Sequence, residues 1–449
     1  MTSTSKPAME SPRAQKIRVR NEVMDGIELP TSGSDAAAGR EGRAPAPSAD
    51  PAKAAPAGLA GLRVLDLGRY IAGPFCAAML ADQGAEVIRI EPPAGAPDRE
   101  VMPIGLPGRG ALYLQMNRNK KSLTLDIDSA AGRAAFDKLL ATADAVVVNM
   151  PPAALRRARL DYESLRACRS DIVLTTIGAY GPEGDSRDRI GFDGTGQALS
   201  GAMALSGTGE RPLRAAVSYV DYATGMSAAF ATLAALYERR TTGRGQHVEA
   251  SLLGTALTMT NPMLIEEAAG ARSRRPIGNR SPIAGPSDLF ATRDGWLMIQ
   301  VIGDGMFRRW AQFVGRPDLL ADERFGSDIA RGENGEALSA IMAAWCASRS
   351  SADCLTALDD ARIPACRALT PAEALAAPEI AEGGFFSAEA AESASVPLVT
   401  RAIRTAATAT AHRPAPALGA DSCELLAGLG YDRDAIAGLT GSGARPTHR

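Results

Sequence analysis

GLAGLRVLDLGRYIAGPFCAAMLADQGAEVIRIEPP (Gly58–Pro93) reads as one strand–helix–strand unit. The run Arg63–Leu67 is short, apolar and bounded by glycine, which suits a buried strand. A loop and a helix follow within Gly68–Ala85. Pro74 fits the first helical turn and Gly84 the helix end. Ala85–Pro93 is the next strand. Two strands joined by a helix pair in parallel through a right-handed crossover.

Working outward, the alternation continues. Ser122–Ile127 is expected as a strand, Ser129–Ala143 as a helix, and Asp144–Met150 and Asp171–Gly178 as strands. The fold class is therefore α/β, with a doubly wound, Rossmann-like large domain. A glycine-rich stretch, Gly191–Pro212, precedes a long helix at about Ser218–Arg239, built mostly from small residues that let other backbones approach. Gly243–Leu253 reads as a strand running into a helix. Phe290–Val301 reads as a hairpin turning at Asp294–Gly295, with helices at about Gly305–Val314, Gly335–Ser348 and Ala352–Ala361. The expected division is an extension at 1–57, a large domain at 58–245, a linker helix at 246–275 and a smaller α+β domain at 276–368. A C-terminal segment at 369–440, returning to the large domain, and a tail at 441–449 complete it. In the C-terminal segment Pro371–Ala377 and Asp421–Gly430 read as helices and Val396–Val399 as a strand. Residues 1–57 are rich in Ala, Pro, Ser and Gly and are expected to be disordered.

Several classes are disfavoured. The chain has 449 residues, and 49 Lys plus Arg against 51 Asp plus Glu leave no excess positive charge to hold nucleic acid. The longest apolar run, Met226–Tyr237, is too short to span a bilayer, so no membrane partner is expected. Six cysteines lack CxxC spacing and only three histidines exist, so no metal site is expected. Reduced thiols without a secretory signal suit the cytoplasm. A Walker A loop, GxGxxG in the first βα turn and a GxSxG elbow are all absent from the sequence. His247 reads as a packed or hydrogen-bonded strand residue, and His412 and His448 fall in the tail, so a His-based triad is hard to build.

A carboxylate remains. Asp221, in SYVDYATGM, stands near the start of the small-residue helix. It reads either as a cap for free N–H groups or as a nucleophile that the positive helix end keeps ionised. The glycine-rich stretch would let a large substrate approach. A carboxylate nucleophile suits acyl transfer, because a mixed anhydride is about as activated as a thioester. Arg157, in ALRRARL, reads as a surface arginine or a phosphate ligand. Lys120 and Lys121 read as an ordinary charged turn before a strand, or as contacts to a nucleotide's phosphates.

Nine segments together resemble the class III CoA-transferase (CaiB/BaiF-like) family, which includes formyl-CoA transferase, carnitine CoA-transferase and α-methylacyl-CoA racemase. They are LAGLRVLDLGRYIAGPF, GAEVIRIEPP, NRNKKSLTLDI, DAVVVNM, GFDGTGQALSGAMALSGTGE, YVDYATGMSAA, ERRTTGRGQHVEASL, the RDGW turn and IPACRALTPAEAL, in family order from about Gly58 to Thr440. The resemblance implies coenzyme A or acyl-CoA as substrate, a small carboxylic acid as acceptor, and no tightly bound cofactor. It places the catalytic aspartate on Asp221, which attacks the thioester to give an anhydride and then an enzyme–CoA thioester. It places CoA contacts at Ile71, Ala72, Leu125, Asp126, Ile127, Asp128, Asn149, Met150, Pro151, Arg157, Ile190, Gly191, Phe192 and Asp193. Those at Leu125–Asp128 are carried mostly by backbone, while Arg157 matches by side chain. It also implies an interlocked homodimer, with each active site between the large domain of one chain and the small domain of its partner.

The chain departs from the family's patterns in ways that narrow the expectation. Ile71 replaces a glutamine of formyl-CoA transferase, Ile190 a lysine, and that enzyme's tetraglycine loop is absent from 276–300, so formyl or oxalate chemistry is disfavoured. PALGADS (Pro416–Ser422) lacks the histidine of the family pattern. Racemases of the family use a His in a Gly-His-Asp segment, here Gly191-Phe192-Asp193, and Phe192 accepts no proton. A racemase and a catalytically silent acyl-CoA binder are the alternatives to a transferase. Trp296, Met298 and Met306 are candidates for the acceptor pocket and equally good core residues.

Overall fold

The structure is a computed structural model that describes residues 58–209, 211–391, 394–400, 402–403 and 412–441. The 1–57 extension, residues 442–449 of the tail and His448 lie outside the described residues. Six strands form one parallel sheet: β1 (Arg63–Asp66), β2 (Glu86–Glu91), β3 (Lys120–Thr124), β4 (Ala145–Val148), β5 (Val173–Gly178) and β6 (His247–Ser251). Their order is β3-β2-β1-β4-β5-β6, the doubly wound arrangement. The connecting helices are α1 (Ala72–Asp82), α2 (Ala111–Asn117), α3 (Ala130–Leu140), α4 (Pro152–Ala158), α5 (Tyr162–Cys168), α6 (Asp193–Leu199), α7 (Ala202–Leu205), α8 (Tyr219–Thr242) and α9 (Leu252–Ala268).

Both sheet faces are covered, which explains why the strands read as continuous apolar runs. Leu65, Ile88, Val146 and Leu174 point to one face, packed with Phe136, Leu139 and Leu165. Val64, Val87, Val147 and Val173 point to the other, packed with Cys76, Leu80, Ala228 and Leu236. The small residues of α8 serve this second face. A Cβ added at Gly225 would sit 2.8 Å from the carbonyl oxygen of Ala72, so a larger residue would force α8 off α1.

Strand β3 begins two residues earlier than expected, at Lys120, and stops at Thr124. Its partner sets these limits: Val87 pairs with Lys120, and the Leu125 N–H closes the ladder on the last β2 residue, Glu91. Part of the glycine-rich stretch is helical, as α6 and α7, and a Cβ at Gly196 would meet Val220 at 2.9 Å. That glycine admits the protein's own helix rather than a substrate.

Beyond α9, strands β7 (Ser287–Ala291), β8 (Trp296–Gln300) and β9 (Ala365–Arg367) form an antiparallel sheet. Helices α10 (Asp304–Phe313), α11 (Asp328–Glu333), α12 (Gly335–Ala347) and α13 (Ser351–Asp360) lie between β8 and β9 in the chain. A separate core of Phe290, Leu297, Ile299, Trp310, Leu338 and Leu358 holds this part together. The turn of the hairpin is a four-residue loop, Thr292–Gly295, rather than Asp294–Gly295 alone. The Thr292 N–H donates to the Gly295 carbonyl at 2.9 Å across the loop, and Asp294 accepts the Ser351 N–H at 2.7 Å, tying it to the start of α13.

The described residues between 370 and 403 belong to a compact unit distinct from the rest of the described chain. Within it stand α14 (Pro371–Ala376), α15 (Pro378–Gly383) and the antiparallel pair β10 (Phe386–Ala391) and β11 (Ala394–Val399). Thr370 and Glu373 make a reciprocal capping box at the start of α14. The chain ends in α16 (Ser422–Gly428) and α17 (Arg433–Thr440), whose Leu425, Leu426, Ile436 and Leu439 join the first core of the parallel sheet. The Ser422 hydroxyl accepts the Thr124 N–H, and Asp421 accepts that of Ser122, so the open edge of β3 is covered.

Candidate active site

In a doubly wound sheet, ligands lie beyond the strand ends where the strand order reverses. Here that point is between β1 and β4. The turn after β1 is pinned from three sides. Asp66 accepts the Gly68 N–H at 2.8 Å, Arg89 donates to the Gly68 carbonyl, and Asn149 binds Arg69 through both its amide oxygen and its amide nitrogen. These contacts hold Tyr70 at φ +65°, a left-handed conformation that is strained for an aromatic residue. The Tyr70 ring meets Phe192 edge-on at 6.0 Å.

Two adjoining cavities open here. The first, about 340 Å³, is walled by Asp221 and by Ile71, Ala72, Asn149, Met150, Pro151, Ile190, Gly191 and Phe192. The second, about 390 Å³, is walled by Leu125, Asp126, Ile127, Asp128, Met150 and Arg157. Arg69 and Met150 line both, so the two form one elongated site. Fourteen expected positions scattered over the sequence therefore line these two cavities. Asp193 lines neither cavity: its carboxylate is buried behind Asp221.

The choice between a capping and a free Asp221 is settled by that neighbour. Asp221 occupies the third position of α8, and Ser218 at the helix start makes no side-chain cap. Asp193 supplies it from α6, accepting the N–H of Val220 at 2.9 Å and of Asp221 at 3.3 Å. The Asp221 side chain is left half-buried at the cavity wall. Its carboxyl is pushed up to about 7, first by burial and then by the charge of Asp193. Lost hydration and a like charge thus oppose the helix end, which favours the ionised form.

Other expected residues fall into place. Arg157 is exposed in the last turn of α4, facing the second cavity, with no ion pair among the described residues. Lys120 is no phosphate ligand. It is fully buried, and its three donors are taken by Asp66 at 2.7 Å, the Pro74 carbonyl at 2.8 Å and Asn117 at 3.0 Å. Lys121 pairs with Glu86 and Glu424. His247 bonds Thr176 and stacks on Tyr162, and His412 bonds Asn119. Trp296, Met298 and Met306 line neither cavity, and Met306 packs on the smaller core. No group of metal-ligating side chains occurs among the described residues, and no helix among them is long and apolar enough to cross a membrane.

Among the wall residues that escaped the sequence reading are Arg69, Tyr70 and Arg189. The first two lie in the first βα turn, where strand ends meet ligands, and that position was the available signal. Arg189 carried none beyond its place beside Ile190.

The site is thus elongated, with the Asp221 carboxylate at the wall of one cavity and the Arg157 side chain at the wall of the other. The profile of CoA-transferase family III matches residues 59–422. The succinyl-CoA–D-citramalate CoA-transferase of Chloroflexus aurantiacus is 35% identical, over 71% of this chain and 80% of that protein. The succinate–glutarate CoA-transferase of Agrobacterium fabrum is 32% identical, over 83% and 95%. The crystal structure of a CaiB/BaiF family protein from Brucella suis superposes with a TM-score of 0.72 at 30% identity, covering 84% of this chain and 100% of that one. The chain belongs to CoA-transferase family III, the CaiB/BaiF family. It is a transferase that moves CoA between an acyl-CoA and a carboxylic acid.

Proposed function

We propose that the protein transfers CoA from succinyl-CoA to a second dicarboxylic acid, with Asp221 as covalent catalyst. The observation that carries this reading is the Asp221 carboxylate, uncapped at the wall of a cavity continuous with that of Arg157. The CoA nucleotide would lie along Leu125–Asp128 with a phosphate on Arg157, and the pantetheine would pass Met150 toward Asp221. Asp221 attacks the thioester carbonyl, the C–S bond breaks, and CoA leaves as thiolate. The thiolate then attacks the Asp221 carbonyl of the anhydride, freeing succinate and leaving an Asp221–CoA thioester. The acceptor carboxylate repeats the sequence in reverse and departs as its CoA thioester.

The acceptor class rests on charge. Arg69 and Arg189 line the Asp221 cavity, and neither guanidinium has a carboxylate partner among the described residues. One carboxylate of a dicarboxylic acid can react while the other meets an arginine. The relatives named for citramalate and glutarate act on such acids. Apolar Ile71, Ile177 and Leu252 suit the carbon chain between the two acids. The test is a panel of mono- and dicarboxylic acids with succinyl-CoA, read by chromatography of CoA esters. Dicarboxylic acids are expected to react at least about tenfold faster, and Arg69→Ala or Arg189→Ala to remove that preference. Equal rates for monocarboxylic acids would refute the acceptor class.

We also propose a cytoplasmic homodimer, with the large domain (58–245) holding CoA, the linker helix (246–275) leading to the small domain (276–368), and the partner's small domain completing each site. Met226, Phe230 and Tyr237 stand exposed on one face of α8, and Ile265 on α9, an apolar surface of the kind that association buries. A monomer in sedimentation velocity at micromolar concentration would rule the dimer out.

A further inference from the structure

We infer that Asp193 is a positioning residue for the nucleophile: from α6 it fixes the first turn of α8 and stands as a negative charge behind the Asp221 carboxylate. The inference rests on the reading of Asp221 as the covalent catalyst and deepens it.

The geometry is specific. Asp193 is only 3% exposed. One carboxylate oxygen accepts both Val220 and Asp221 N–H groups, which are the free donors of the second and third helical positions. The other accepts the Gln197 amide at 2.5 Å, and the Gln197 oxygen accepts the Ala215 N–H at 2.9 Å. Gln197 is 1% exposed. Two buried side chains on α6 thus hold the start of α8 and the chain that leads into it. Gly196, on the same helix, packs on Val220 with no room for a Cβ. The nucleophile is placed by the first turn of its helix, and that turn is placed by α6.

A cap could be supplied by a neutral side chain, such as that of Ser218, which makes none. A charged cap does more. The ionised resting Asp221 faces a like charge in a partly dry site, whereas the acylated Asp221 is neutral. When the carboxylate attacks the thioester, the negative charge passes to the leaving thiolate and the repulsion is relieved. Asp193 therefore favours the covalent adducts over the free carboxylate, and it raises the basicity, hence the nucleophilicity, of the attacking oxygen. The other groups around Asp221 are Tyr219 and Tyr222 on its own helix, and Arg69, Tyr70 and Arg189 on the cavity wall, with Arg118 acting on Tyr222.

The test compares wild type, Asp193→Asn and Asp193→Ala from pH 5 to 9, by transfer kinetics and by mass spectrometry of the Asp221 adduct formed with succinyl-CoA. Asn keeps the shape, and its amide oxygen still accepts the Val220 and Asp221 N–H groups, while the contact to Gln197, whose oxygen is held by the Ala215 N–H, is given up. Its acid limb of kcat is expected to move about one pH unit toward acid, with kcat at pH 8 lowered by less than about tenfold. Ala loses the cap, and kcat is expected to fall about 10–100-fold while KM for acyl-CoA stays within about threefold. An unmoved acid limb, or a loss in KM rather than kcat, overturns the inference. A readout independent of turnover is the effect of Asp221→Asn on unfolding at pH 8, which should be smaller in the Asp193→Asn background. Additive effects there also overturn it. If wild type yields neither adduct nor turnover with any acyl-CoA, the reading of the reaction fails, and the unfolding cycle alone judges Asp193.

Discussion

Asp221→Asn is expected to abolish CoA transfer and at the same time to stabilise the protein above neutral pH. The amide fills the same space but cannot form an anhydride, so turnover should fall by about 10³-fold or more. The affinity for CoA should change by less than about threefold, because the proposed nucleotide site, at Arg157 and Leu125–Asp128, lines a cavity that Asp221 does not. No covalent adduct should appear at residue 221 after incubation with acyl-CoA. Turnover above about one per cent of wild type would remove Asp221 from the mechanism. The stability change follows from the direction of titration. Burial and Asp193 raise the carboxyl from its ordinary 3.8 to about 7 in the folded chain. The folded state therefore holds a proton that the unfolded chain releases, and wild type loses stability as pH rises between about 4 and 7. Asn is spared that loss. Urea unfolding should place it about 2 kcal/mol above wild type at pH 8, after allowing for the water that still reaches the carboxylate, and level with it at pH 4. A nucleophile strained by its site accounts for both effects.

The second large effect is expected beneath the first βα turn. Asp66, Arg89, Glu91, Asp98, Arg99 and Lys120 are all buried. One Arg89 nitrogen donates to both Asp98 oxygens at 2.9 Å, Arg99 pairs with Glu91 at 2.6 Å and Lys120 with Asp66 at 2.7 Å. Three positive and three negative side chains balance, and each break leaves a charge in a dry interior. Burial already draws the Lys120 ammonium down to about 8, with Asp66 holding it up. Asp66→Ala should therefore cost about 4 kcal/mol, measured by urea unfolding at pH 7. It also frees Gly68, so the affinity for CoA should weaken in the folded fraction. Adding Lys120→Met removes the orphaned charge, and the double variant should recover at least half of the loss in stability but not the affinity. A loss below about 1 kcal/mol for Asp66→Ala would show that water or a shifted side chain satisfies Lys120. The network thus does two things: it keeps the sheet edge between β2 and β3 in register, and it holds the turn that carries Arg69 and the strained Tyr70.

These two results separate what could be read from the chain alone. Local patterns were enough for the strands of the parallel sheet, because a buried parallel strand is a short apolar run between breakers, as in Arg63–Leu67 and DAVVVNM. They were enough for the long helix of small residues as well, since Gly225 and its neighbours announce a close approach. Ordered together, nine such segments marked the family and placed Asp221.

What the linear pattern left open was decided by partners distant in the chain. Lys120 stands in a run of charges that reads as a solvated turn, yet Asp66, 54 residues away, draws it inside. By position alone Asp221 reads first as a cap, yet Asp193, 28 residues earlier, takes over the cap. Arg69 and Arg189 drew no reading from the sequence, and they line the cavity of Asp221 only once β1 and the segment after β5 meet at the switch point. Periodicity and propensity are short-range properties, so the chain specifies its own elements. Hydration and charge act through space, so the protonation of a carboxylate and the role of an arginine exist only after the elements have packed.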